Sequence, residues 1–238
     1  MPLQDRHERP GSPRVLTLDF PGPRSRHRVR HLDIEAVGAD VVHLLDTSRP
    51  RDLTASGYAR ALLDGEHLAG PDVAAIVTYC AAAPIAREVS LLLRRAGSTG
   101  PRLYAINPEQ SSMGLAVDTL QSFLSACDHP RPVTPPLTRA AVDGAAEALF
   151  RGYLAGGEAT PEMMRMAREL ATAQADWVSY LAAAGDPGAP PVTAAEVHIT
   201  SRDHACPPSC VAGHLVAGGS EAELFADRGL GARIGAAT

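Results

Sequence analysis

The chain contains no lysine, so its side-chain cations, histidine aside, are all arginine. Aromatic residues are scarce too, at 4% of 238 residues. Together with 20 Pro, 21 Gly and abundant Ala, this bias reads as the mark of a GC-rich coding sequence, and no chemistry attaches to it. No uninterrupted apolar stretch approaches the ~18 residues that a membrane-crossing helix needs, so no membrane span is expected. Residues 1–13 are polar and carry no apolar leader core, which predicts a flexible N-terminus and no secretory signal. An excess of clustered cations is also missing. The net charge of −5 argues against a nucleic-acid surface. Four cysteines without a signal point to free thiols in a reducing compartment, so the expected location is cytoplasmic.

What is present is an ordinary apolar fraction of 45%, enough for one substantial core and too little chain for two comfortable domains. Short β-rich runs at 15–20, 40–45, 73–78, 102–106, 196–200 and 213–217 are separated mostly by helical patterns. The run from Val73 to Thr78 is nearly all apolar, as a strand buried on both faces should be. Helical spacing covers 54–63, 82–95 and 221–234, and a long stretch from 114 to 184 holds three helices and no convincing strand. Strands alternating with helices predict an α/β fold with a mostly parallel sheet. The domain is expected to run from 14 to 238, with lid helices inserted over one end of the sheet at about 114–190. Ligands of such sheets bind beyond the carboxyl ends of the strands.

One turn concentrates the chemistry. Thr78-Tyr79-Cys80-Ala81-Ala82 lies between a buried strand and a helix, where a tight turn with small neighbours thrusts one side chain outward. Cys80 is therefore the expected nucleophile, and a helix N-terminus behind it is expected to favour the thiolate. The backbone N–H of Ala81 is the expected first oxyanion donor. In Pro21-Gly22-Pro23 the prolines have no N–H, so Gly22 is the natural second donor. A histidine partner is harder to find. His204, just past the strand ending at Thr200, is preferred as base over His214, which precedes the last strand. Asn107, at the end of the fourth strand, or Asp203 would orient that imidazole.

Two other features carry charge or ligands. Arg24, Arg26, Arg28 and Arg30 form a basic strip, read either as a solvated face or as a landing place for an acidic partner. His204, Cys206, Cys210 and His214 crowd two soft thiols and two imidazoles into one loop. Structural zinc sites usually space two ligand pairs across a hairpin or helix, and Pro207-Pro208 stiffens the loop, so neither a metal nor any other cofactor is expected.

The stretch Cys80-Ala81-Ala82-Ala83-Pro84-Ile85-Ala86-Arg87-Glu88-Val89 resembles the type II thioesterase branch of the α/β-hydrolases, whose strand runs into Gly-His-Ser-Met-Gly-Ala and then a helix with a Phe-Glu-Leu-Ala-Arg-type run. Phe20-Pro21-Gly22 is similar to that family's Phe-Pro oxyanion loop, and Ala217-Gly218-Gly219 to the Gly-Gly before its catalytic histidine. The chain departs from the family at that histidine, where Ser220-Glu221 stands instead. Cysteine at the serine position is similar to the Dieckmann cyclases of tetramate and pyridone pathways. The resemblance implies a cysteine-dependent enzyme that takes a polyketide or peptide chain from an acyl or peptidyl carrier protein and releases it by cyclisation. Hydrolytic editing is an alternative, as is a catalytically dead scaffold that keeps the fold.

Overall fold

The computed structural model describes residues 14–20, 27–47, 49–66, 73–127, 132–155 and 159–236. The elements follow in chain order. After β1 (Arg14–Leu18) come two short 3₁₀ turns, Val29–Leu32 and Ile34–Val37, then β2 (Asp40–His43) and α1 (Leu44–Thr47). Next are α2 (Ala55–Glu66), β3 (Val73–Tyr79), α3 (Ala83–Arg95) and β4 (Arg102–Ile106). Three helices follow without a strand: α4 (Met113–Ala126), α5 (Arg139–Leu154) and α6 (Pro161–Ala184). The chain ends with β5 (Glu196–Thr200), β6 (Gly213–Val216), α7 (Glu221–Ala226) and α8 (Arg228–Ala236).

The strands form one six-stranded sheet in the order β2-β1-β3-β4-β5-β6, with each pairing parallel. Alternating residues divide the core into two layers. Leu16, Leu18 and Ile76 face a layer built with α2, α3 and the inserted helices, while Val15, Ala75, Val77 and Ile106 face the 3₁₀ turns, α7 and α8. The α/β architecture is as expected: a parallel sheet flanked by helices, with a helical insertion between β4 and β5. Among the described residues no helix is long and apolar enough to cross a membrane.

The inserted helices start as their sequences require. Ser112, Thr138 and Thr160 are N-caps whose side chains accept from the N–H three residues on, and Pro161 opens α6 where its missing N–H costs nothing. Arg51, ahead of α2, ties the insertion down: its Nε meets Asp176 of α6 at 2.9 Å and its Nη1 meets Asp143 of α5 at 2.8 Å.

Two expectations change at element ends. The run at 40–45 leaves the sheet after His43, and Leu44 and Leu45 bury their side chains from a helical turn instead. The single helix expected over 221–234 is broken at Asp227, whose backbone is extended and whose side chain accepts from the Gly229 N–H at 2.9 Å.

The C-terminal α8 lies tightly against the first 3₁₀ turn. A Cβ at Gly231 would overlap the Leu32 carbonyl oxygen. Gly231→Ala should therefore destabilise the fold by roughly 1–3 kcal/mol, as forced overpacking does, and urea denaturation would measure it. An unchanged midpoint would mean that α8 is free to shift.

Two arginines of the basic strip have acidic partners within the chain. Arg28 binds the buried Asp19 carboxylate twice, Nε to Oδ2 at 2.8 Å and Nη2 to Oδ1 at 3.0 Å, and Asp19 also accepts from the Val29 N–H at 2.7 Å. Arg30 pairs with Asp46 at 2.6 Å. These two arginines brace the chain after β1 rather than offering free cations. Arg24, Arg26 and the N-terminal segment 1–13 lie outside the described residues.

Candidate functional site

The strand order reverses once. From β1 the chain moves outward to β2, then crosses to place β3 on the other side of β1. The connections leaving β1 and β3 therefore diverge, which opens the crevice where open α/β sheets hold ligands. Cys80 follows β3 directly at that point.

The turn is strained. Tyr79 is extended, but Cys80 takes φ +58°, a left-handed conformation that a residue with a Cβ adopts at a cost. A 3₁₀ turn over Cys80–Ala82 then leads into α3. Ala81, Ala82 and Ala83 are all buried, so the small residues this turn demands are alanines where related motifs use glycine. Pro84 near the start of α3 is tolerated because the N–H it lacks would have no intrahelical partner.

Cys80 is partly buried, and its Sγ donates to Glu109 Oε2 at 3.1 Å. The Glu109 N–H returns a bond to the Cys80 carbonyl at 3.2 Å, so the loop after β4 is clasped to the turn in both directions. Burial pushes the thiol up to about 12, and the Glu109 hydrogen bond and charge add to it, with a smaller push from Glu221. The N–H of Ala81 hydrogen-bonds the sulfur and acts the other way. The helix start thus favours the thiolate as expected, but burial and two carboxylates outweigh it.

Glu221 opens α7 just after Gly218-Gly219, where the resemblance calls for the histidine. Its Oε1 accepts from the Tyr79 hydroxyl at 2.6 Å. Gly218 is required here: φ is +79°, and a Cβ would stand 2.7 Å from the Leu224 nitrogen. This corner presents a carboxylate held by the neighbour of Cys80.

Above the turn sits an aromatic roof. Phe20, after β1, lies 5.1 Å from Trp177 and 4.9 Å from Tyr180, and these two α6 rings stack at 5.4 Å. Tyr180 is fully enclosed; burial raises its pKa well above the ordinary value, and the nearby Cys80 sulfur raises it further.

The remaining expected residues are placed as follows. Asn107 is buried at φ +39°, and its amide is spent on Ser201: Nδ2 donates to Oγ at 3.1 Å, and Oδ1 accepts from the Ser201 N–H at 2.9 Å. It locks the end of β4 to the end of β5 and, among the described residues, orients no imidazole. His204 donates its backbone N–H to the Ser201 carbonyl at 3.1 Å, and its Nε2 is buried without a hydrogen-bond partner among the described residues. The group bonded to the Cys80 sulfur is Glu109, not this ring. Asp203 is exposed on the turn before it. Gly22 lies outside the described residues.

The loop pattern of two Cys and two His also rearranges. Cys206, Cys210 and His214 come together with His198 of β5 in place of His204, their ligand atoms all within 4.8 Å of one another. The sequence reading missed Glu109, Tyr79 and His198 as site residues. Only Glu221 carried a signal, through its place after the paired glycines.

No known family profile matches the chain, and no curated protein matches it. Among solved structures it is similar to the RedJ thioesterase from the prodiginine biosynthetic pathway of Streptomyces coelicolor, at 18% identity and TM-score 0.46 over 95% of this chain and 90% of that one. It is also similar to the haloalkane dehalogenase DbeA of Bradyrhizobium elkani USDA94, at 17% identity and TM-score 0.44 over 97% and 93%. A third is a metagenomic epoxide hydrolase of the α/β-hydrolase superfamily from hot environments, at 15% identity and TM-score 0.41 over 95% and 89%. At these levels the likenesses carry no argument about activity, which rests on the geometry of the turn.

Proposed function

We propose that the chain handles acyl thioesters, with Cys80 accepting an acyl group from a carrier-protein thioester and releasing it by Dieckmann-type cyclisation. The observation that supports this best is the left-handed backbone of Cys80 at the strand-to-helix turn. Strain of this kind is kept where surrounding structure enforces it, and it clusters at functional sites.

In this reading the Cys80 sulfur attacks the thioester carbonyl while its proton passes to Glu109. The Ala81 N–H, already aimed at the sulfur, would donate to the oxyanion, and Gly22 would be the second donor. Collapse expels the carrier thiolate, which recovers the proton. The acyl group remains a thioester on Cys80, so its carbonyl stays electrophilic toward an internal carbanion. Glu109, having given up its first proton, takes the acidic proton of the acyl chain; the carbanion then forms the carbon–carbon bond, the carbon–sulfur bond breaks, and the leaving Cys80 thiolate recovers that proton as the thiol. The inserted helices would act as a lid that keeps water from competing. His204 and Asp203 keep no role in this scheme.

A second reading, an acyl-binding protein without turnover, is favoured by the same thiol, pushed up to about 12. Intact-mass analysis after mixing with the N-acetylcysteamine thioester of an N-(β-ketoacyl)amino acid, whose acidic carbon can reach the thioester carbonyl, separates the two. The enzyme reading expects an acyl adduct that vanishes in Cys80→Ala, and a cyclic dicarbonyl product. Free acid as sole product would convert the assignment to hydrolysis, and neither adduct nor product would leave the binding protein.

A further inference from the structure

We propose that His198, Cys206, Cys210 and His214 form a structural zinc site at the far edge of the sheet from Cys80. This inference is independent of the acyl-transfer reading. The donor set is two sulfurs and two imidazoles, the combination that selects zinc among common divalent ions. The geometry is already close. His198 Nδ1 lies 3.3 Å from Cys206 Sγ and 3.3 Å from Cys210 Sγ. Neighbouring ligands of a tetrahedral zinc stand roughly 3.3–3.8 Å apart, given bonds of about 2.0–2.3 Å.

Each ligand is placed by a different feature of the fold. His198 and His214 are register partners on the adjacent parallel strands β5 and β6, with ring centroids 5.5 Å apart. The loop between those strands supplies both thiols. Its Pro207–Cys210 turn, closed by the Cys210 N–H on the Pro207 carbonyl at 2.9 Å, puts the two sulfurs side by side. The prolines that argued against wrapping thus shape the loop for it. Behind the ligands is a built outer shell: His198 Nε2 meets Glu196 Oε1 at 2.8 Å, and Arg87 grips the same carboxylate at 2.8 and 3.0 Å. A carboxylate on Nε2 turns the Nδ1 lone pair toward the sulfurs, the arrangement by which outer-shell acids orient zinc-binding imidazoles. Four protein ligands leave no open position, so the ion would be structural. It would pin the 201–212 loop to a four-residue edge strand.

The test uses the full chain, untagged, purified under reducing conditions after expression with added zinc. Elemental analysis should find about one zinc per chain, and cobalt substitution should give thiolate charge-transfer and strong tetrahedral visible bands. The Cys206→Ser/Cys210→Ser double variant should lose the metal at least about tenfold, as should His214→Ala, whose side chain is exposed and whose folding circular dichroism would verify. Cys127→Ser should keep it. Zinc below about a tenth per chain after reconstitution of the reduced protein would overturn the site, as would full binding in the double variant or a Cys206–Cys210 disulfide in the reductively purified protein.

Discussion

Iodoacetamide should label Cys80 about a thousandfold more slowly at pH 7 than an ordinary exposed thiol, because only the thiolate reacts. With the thiol at about 12, the labelling rate should keep climbing tenfold per pH unit well beyond pH 9, where an ordinary cysteine levels off. Peptide mapping separates Cys80 from the other three cysteines. Burial is the largest cause and survives mutation, but Glu109 supplies the next two. Glu109→Gln should therefore speed labelling at neutral pH roughly tenfold. The same change should slow acylation by thioester, since it removes the group that receives the proton. Opposite movements of the two rates mark Glu109 as a base, whereas parallel movements would reduce it to a neighbour that tunes the thiol. A plateau near pH 9 would show that burial and Glu109 do not raise the Cys80 thiol.

The second large effect lies at the other end of the sheet. Glu196 is 2% exposed and is held by Arg87. Burial alone would raise its pKa, but hydrogen bonds from His198 and Arg87 together with the Arg87 charge bring it below the ordinary carboxylate range. Arg87→Met should cost roughly 3–5 kcal/mol at pH 7, because it strands a buried carboxylate. For a chain of this size that lowers Tm by about 10 °C. The sign follows from the depressed value: the native pair contributes above the unfolded carboxylate range and loses that contribution as pH falls through the folded value. The gap between wild type and variant should thus narrow in urea melts near pH 4. Neutralising the stranded carboxylate while keeping an acceptor for His198, Arg87→Met with Glu196→Gln, should recover much of the loss. A single variant as stable as wild type would show that water reaches Glu196.

Most of the strands were legible as short β-rich runs closed by Pro, Gly or Asp, and the inserted helices as helical spacing between Pro- and Gly-containing loops, whereas the caps Ser112, Thr138 and Thr160 emerged only in the structure. The Cys80 turn was legible from the order of strand, turn and helix, even though buried alanines obscure the glycine pattern. Its partner was not. Glu109 is a polar residue in a loop, and no periodicity distinguishes the one carboxylate that bends back onto a thiol. Asn107 misled for a related reason: its place at a strand end is shared by orienting residues and by clamps, and only the Ser201 bonds decide. Arg28 looked like part of a charge run because its buried partner, Asp19, sits in a strand's tail. His198 was hidden by its own strand. Distance along the chain favoured His204, whereas strand register brings His198 opposite His214.

The roof over Cys80 has one more consequence. Trp177 is the protein's single tryptophan, and it stands against Phe20 and Tyr180 at the border between the insertion and the sheet. Tryptophan emission, excited selectively over the tyrosines, therefore originates from one spot, so the chain carries a built-in optical gauge of whether that border is closed or parted.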